Sequence, residues 1–172
     1  MNRRLAVLLA ASLLPAGCGY RVGGRADLLP NSIKTIAVTP FGNVTTRYKL
    51  ADRITYAVTA EFIQRTRYGV TEDPNQADAV LSGAVVNYMA YPTVIDPITG
   101  RATGVQMMVI LQVNLTERAT GKVLFTRPYM EVRERYEISV DPKEYFDESG
   151  MAMQRVSRDV ARSVVSAILE NF

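Results

Sequence analysis

The segment Val105 to Glu117 alternates strictly. Val105, Met107, Val109, Leu111, Val113 and Leu115 share one face. Gln106, Met108, Ile110, Gln112, Asn114 and Thr116 share the other. A period of two belongs to a β-strand. One wholly apolar face beside a mixed one predicts a sheet covered on one side only. The chain must then supply the cover. Between Tyr48 and Arg67 the period changes: Leu50, Ile54, Ala57, Val58 and Phe62 recur at three- and four-residue spacing, the pattern of an amphipathic helix. Tyr68-Gly69 closes it, with Gly69 suited to a left-handed cap. A second helix is predicted from Asp141 as N-cap and Pro142 at the first helical position. Ala152, Val156, Val160, Val164, Ala167 and Ile168 mark its buried face.

Three more segments read as strands. Ile33 to Phe41 is β-branched and ends near Pro40. Ala79 to Tyr91 follows a polar connection, and Gly83 inside it predicts a bulge or a close backbone approach. Pro92 to Thr103 is a turn-rich loop around Asp96-Pro97-Ile98-Thr99-Gly100-Arg101. Lys122 to Ile138 returns through the hairpin Arg118-Ala119-Thr120-Gly121, and Pro128 argues for an edge or a bulge there. The predicted fold is a two-layer α/β (α+β) sandwich in the order β-α-β-β-β-α. A mixed sheet of about four strands carries two helices on one face. The first two strands, joined through a helix, are expected to run parallel. Residues 33–172 form a single domain, without internal repeats.

Composition closes most catalytic routes. The 172 residues include one Cys, no His and no Trp. There is no imidazole base or ligand, no intrachain disulfide and no cysteine-based zinc site. No metal site, cofactor or enzymatic activity is expected. The 17 acidic residues nearly balance the 20 basic ones, and Arg3 and Arg4 lie in the leader described next. That charge offers no argument for nucleic acid.

Met1-Asn2-Arg3-Arg4 is a positive n-region, and Leu5 to Leu14 is an apolar run of about ten residues. That is too short for a bilayer, which takes about 20. Pro15-Ala16-Gly17 follows, then the single cysteine, Cys18. The arrangement resembles a bacterial lipoprotein signal. Pro15 stands three residues before the cysteine, where such signals usually carry Leu. The resemblance implies cleavage after residue 17 and covalent acyl groups on Cys18. Several acyl chains anchor stably where one is marginal. Gly19, in place of Asp, implies sorting to the outer membrane. Residues 18–32 then form a lipid-anchored tether containing Gly23-Gly24 and Pro30.

Cys18-Gly19-Tyr20, Leu29-Pro30 and Ile33-Lys34-Thr35-Ile36-Ala37-Val38 occur in order. Ala77-Asp78-Ala79-Val80-Leu81-Ser82-Gly83 and Thr120-Gly121-Lys122-Val123-Leu124-Phe125 follow. Together they resemble the lipopolysaccharide-assembly lipoprotein family LptE, over about residues 18–170. The resemblance implies an outer-membrane lipoprotein on the periplasmic face, with the sandwich fold read above. It implies a plug in the lumen of the large β-barrel LptD, a role in assembling that barrel, and binding of lipopolysaccharide on its way to the outer leaflet. The alternative is another periplasm-facing lipoprotein, accessory to a secretion pore or a cell-wall synthase.

Ligand phosphates would call for charge-assisted donors. Arg101 at the tip of its loop, and Arg118 and Lys122 at the opposite hairpin, are the candidate contacts with lipopolysaccharide or the barrel. An ordinary solvated turn is the competing reading at both places. Arg127, Arg133 and Arg135 interleave with Glu131, Glu134 and Glu137, as in a solvent-facing strand with cross-strand pairs. Tyr88, Tyr91, Tyr129, Tyr136 and Tyr145 are either an interface cluster or rim residues of the sheet.

Overall fold

The structure is a computed structural model that describes residues 29–138 and 145–170, with side chains omitted for 145–149. Cys18, Asp141 and Pro142 lie outside the described residues.

The first strand, β1 (Thr35–Val38), is short because Pro40 lies just past its end. β2 (Gly42–Asn43) follows at once, and then helix α1 (Leu50–Arg65). The stripe Leu50, Ile54, Val58 and Phe62 is fully buried. Each such side chain contributes roughly 1.5–3 kcal/mol. Sixteen residues make a helix that is marginal alone, so this burial holds it in place. The helix ends at Thr66, whose backbone N–H and hydroxyl both donate to the Phe62 carbonyl.

β3 (Gly69–Thr71) starts immediately and pairs parallel with β1, Ile36 opposite Val70. Gly69 is therefore a strand residue and not a left-handed cap. Among the described residues only Lys49, Gly100 and Gly121 have positive φ. A 3₁₀ turn (Pro74–Gln76), with the Asp73 carboxylate accepting the N–H of Asn75, leads to β4 (Ala79–Ile95). β4 lies parallel to β1, as its helical crossover predicts. β5 (Ala102–Glu117) and β6 (Val123–Glu137) continue as antiparallel neighbours. Helix α2 (Tyr145–Glu170) closes the described chain.

The sheet has six strands in the order β3-β1-β4-β5-β6, with β2 paired to β4 beyond the end of β1. The expectation of about four falls short by β2 and β3. Both are too short for a period to show, and only pairing with β1 and β4 defines them. The turn-rich loop also shrinks, since β4 runs through Pro92 to Ile95. Pro92 fits because β4 has no neighbour on the β2 side past Val85, which makes it an edge there, and the register shifts beside it. Pro128 lies in the edge strand β6, opposite another register shift.

Both helices pack on one face, around a single core. Met107, Val109, Leu111, Val113 and Leu115 are fully buried there, as are Val156, Val160, Val164 and Ile168 of α2. The core also takes in Ile33 and, from the predicted tether, Leu29, so that part of the tether is packed into the domain. Phe41 joins them by lying over Gly83, the close approach its sequence position suggested.

Candidate functional site

Past Val85, β4 leaves the β1–β2 side of the sheet and continues with β5 and β6 as a three-stranded arm. The helices cover one face of the sheet. On the arm the opposite face is built from cross-strand rungs: Asn87–Ile110–Glu131, Met89–Met108–Arg133 and Tyr91–Gln106–Arg135. Alternation places them there, one residue out of step with the buried odd positions of β5. The result is an open surface of methionine, isoleucine and tyrosine bordered by the charges of β6. Met89 and Tyr91 are exposed, and so is Tyr129 at its border. Such adaptable apolar groups on an open face are the residue types that suit a contact surface.

The charges at the border are mutually organised. Glu131 accepts both the Tyr129 hydroxyl and the Arg133 guanidinium. The Tyr129 hydrogen bond, then that of Arg133, hold the Glu131 carboxyl below its ordinary range. The same bond raises the Tyr129 hydroxyl. Arg135 makes no ion pair among the described residues, so its guanidinium is available. Glu134 turns to the helix side, where Arg155 of α2 donates to it at 2.6 Å. Arg127 lies over the Phe125 ring, 5.8 Å from its centroid, within the cation–π reach of about 6 Å. The mixed-sign pattern of β6 is thus split between the two faces.

At the arm's end, Asp96 accepts the N–H groups of Ile98 and Thr99, and Gly100 takes a left-handed φ of 67°. This turn projects Ile98, 91% exposed, together with Ile95 and Arg101. Arg101 therefore sits beside exposed apolar side chains at the tip of the arm. Arg118 and Lys122 share the hairpin at the other end. β5 separates the two ends by 16 residues, roughly 50 Å. One ligand head group does not reach both. Arg118 is also committed: its Nε donates to the Ala77 carbonyl at 2.7 Å and its N–H to that of Asp78 at 2.8 Å. It joins the end of β5 to the start of β4. Lys122 is exposed and makes no ion pair among the described residues.

Of the tyrosines, Tyr91 and Tyr129 belong to the open face, while Tyr88 and Tyr136 pack against the core. The Tyr145 side chain lies outside those described. Sequence reasoning placed Met108 and Ile110 on the mixed face of β5 but singled out neither them nor Met89 and Ile98 as candidate contacts. The signal was present in the non-buried phase of the alternation. Among the described residues there is no cluster of metal-ligating side chains and no helix long and apolar enough to cross a membrane.

The fold is shared with solved structures of low identity. Uncharacterized lipoprotein B from Nitrosomonas europaea superposes with a TM-score of 0.58 at 13% identity, covering 88% of this chain and 96% of that one. Rare lipoprotein B from Shewanella oneidensis gives 0.53 at 11% identity, covering 77% and 93%. PelC from Paraburkholderia phytofirmans, a dodecamer, gives 0.51 at 18% identity, covering 80% and 90%. A sequence comparison with curated proteins finds no match. The family model for lipopolysaccharide assembly, LptE, matches residues 33–168, from the strand that opens the sheet almost to the end of α2. This chain belongs to the LptE lipopolysaccharide-assembly family.

Proposed function

We propose that the protein is an outer-membrane lipoprotein, held at the periplasmic face by acyl groups on Cys18. It plugs the lumen of the LptD β-barrel, assists that barrel's assembly and binds lipopolysaccharide in transit. The family match over residues 33–168 carries the proposal. The arm supports it physically. Its Met89, Tyr91, Met108 and Ile110 surface suits acyl chains or a barrel wall, and Arg101 and Arg135 suit phosphate. Lys122 remains a candidate contact at the far hairpin, while Arg118 serves the fold first. The role is binding and positioning, with no covalent chemistry and no cofactor.

Displacement of fluorescent lipopolysaccharide from the purified protein in detergent tests the ligand half. Arg101→Glu combined with Ile98→Asp is expected to weaken binding about tenfold or more, since a charge-assisted contact contributes about 1.5–3 kcal/mol. Arg118→Ala is expected to lower stability first. Unchanged affinity in the tip variant would remove the tip from the site.

A further inference from the structure

The outer side of the helix layer, facing away from the open sheet, carries a groove of about 720 Å³ between α1 and α2. Small residues make its floor: Ala57 and Ala60 of α1 and Ala161 of α2. Its rims are long polar side chains. Lys49, just before α1, and Arg53 of α1 line one side, and Arg158 of α2 the other. Arg53 and Arg158 make no ion pair among the described residues. The acids nearby are mostly spent: Glu61 pairs with Arg65, and Asp159 with Arg162. Asp52 is the remaining acid of the lining. Two guanidinium groups without an ion pair among the described residues, and the Lys49 ammonium that lies over the Tyr48 ring, outnumber Asp52 across one groove and leave it an excess of positive charge.

We propose that this groove binds an extended acidic peptide segment of a partner protein. From Lys49 to Gln64 the groove follows α1 for roughly 22 Å, which accommodates about six or seven extended residues. The shallow alanine floor admits a backbone and small side chains. Gln64 and Gln154 line the groove, and their amides both donate and accept, as a peptide backbone requires. A carboxylate placed between Arg53 and Arg158 gains charge-assisted hydrogen bonds. A phosphate-dense lipid fits less well, because Asp52, the lining acid without an ion pair among the described residues, opposes a dense polyanion more than a peptide that sets one carboxylate between Arg53 and Arg158. The site does not depend on the proposed lipopolysaccharide surface, which lies on the other face of the sheet.

The test places the photoreactive residue p-benzoylphenylalanine at Tyr56, an exposed groove-lining position, in the full chain expressed in cells. The expected result is a polypeptide adduct whose cross-linked peptide, sequenced by mass spectrometry, carries Asp or Glu within about three residues of the cross-link. Its yield should fall roughly tenfold in the Arg53→Glu/Arg158→Glu variant. Both side chains are exposed, so circular dichroism should show an unchanged fold. The milder Arg53→Gln/Arg158→Gln pair gives the same reading without introducing negative charge. An adduct to lipid, an adduct to a segment without acidic residues, no adduct, or a yield indifferent to both variants overturns the proposal. A lipopolysaccharide-binding defect confined to the arm leaves it standing.

Discussion

Gly83 faces the helix layer where the Phe41 ring crosses β4. A Cβ there would run into that ring and would also lie 2.9 Å from the Gln112 carbonyl, which is backbone and cannot step aside. Gly83→Ala is expected to destabilise the domain by about 1–3 kcal/mol through overpacking, measured as a shift in the urea midpoint. An unchanged midpoint would mean that Phe41 has room the packing does not show. Asp78 acts at the same end of β4. Its carboxylate accepts the N–H groups of Lys34 and Thr35 at 2.9 and 3.0 Å. Those backbone donors, with Arg118 and Lys34 charges behind them, hold its pKa below the ordinary 3.8. A carboxyl lowered in the folded state stabilises above its unfolded pKa and loses that contribution as pH falls through the folded value. Asp78→Ala should cost about 1–2 kcal/mol at pH 7. The gap to the wild type should persist above about pH 5 and narrow below pH 4. A gap independent of pH would show that the carboxylate is not the group responsible.

The elements divide by how much of their definition is local. α1 was legible because Leu50, Ile54, Val58 and Phe62 recur at helical spacing and all are buried. β5 was legible because both of its faces keep their phase from Val105 to Thr116. β2 and β3 were not legible, since two and three residues carry no period and are strands only by pairing with β4 and β1. The end of β4 was hidden by Pro92, which signals a break except on an edge that has lost its neighbour. The hairpin tip Asp96–Arg101 closes on itself through the Asp96 carboxylate and touches none of the core. Replacing it by an Asn-Gly turn should change stability by no more than about 0.5 kcal/mol, because surface positions away from packing are near neutral. Thermal or urea unfolding checks this, and a larger loss would make the tip a structural element rather than a contact.

The whole molecule is a sandwich with unequal faces. One side of the sheet is sealed by two helices. The other leaves methionine and tyrosine open along an arm that ends in Ile98 and Arg101. The fold class followed from periodicity and the family from an ordered set of short motifs. The contact surface followed from neither. Arg101, Arg118 and Lys122 look equivalent as loop cations, yet one stands on an apolar tip, one is bound to backbone carbonyls and one sits in the far hairpin. Only the placement of β4 separates them. A plug requires partnership with a barrel. The most direct measurement is affinity purification of the tagged, full-length protein from detergent-solubilised outer membranes, with partners identified by mass spectrometry. The expected result is a large outer-membrane β-barrel in near-equal amount, retained at high salt because a plug is held by enclosure as well as by charge. Recovery of the protein from the same membranes without a barrel, or with a secretion-pore or cell-wall partner instead, would contradict the plug.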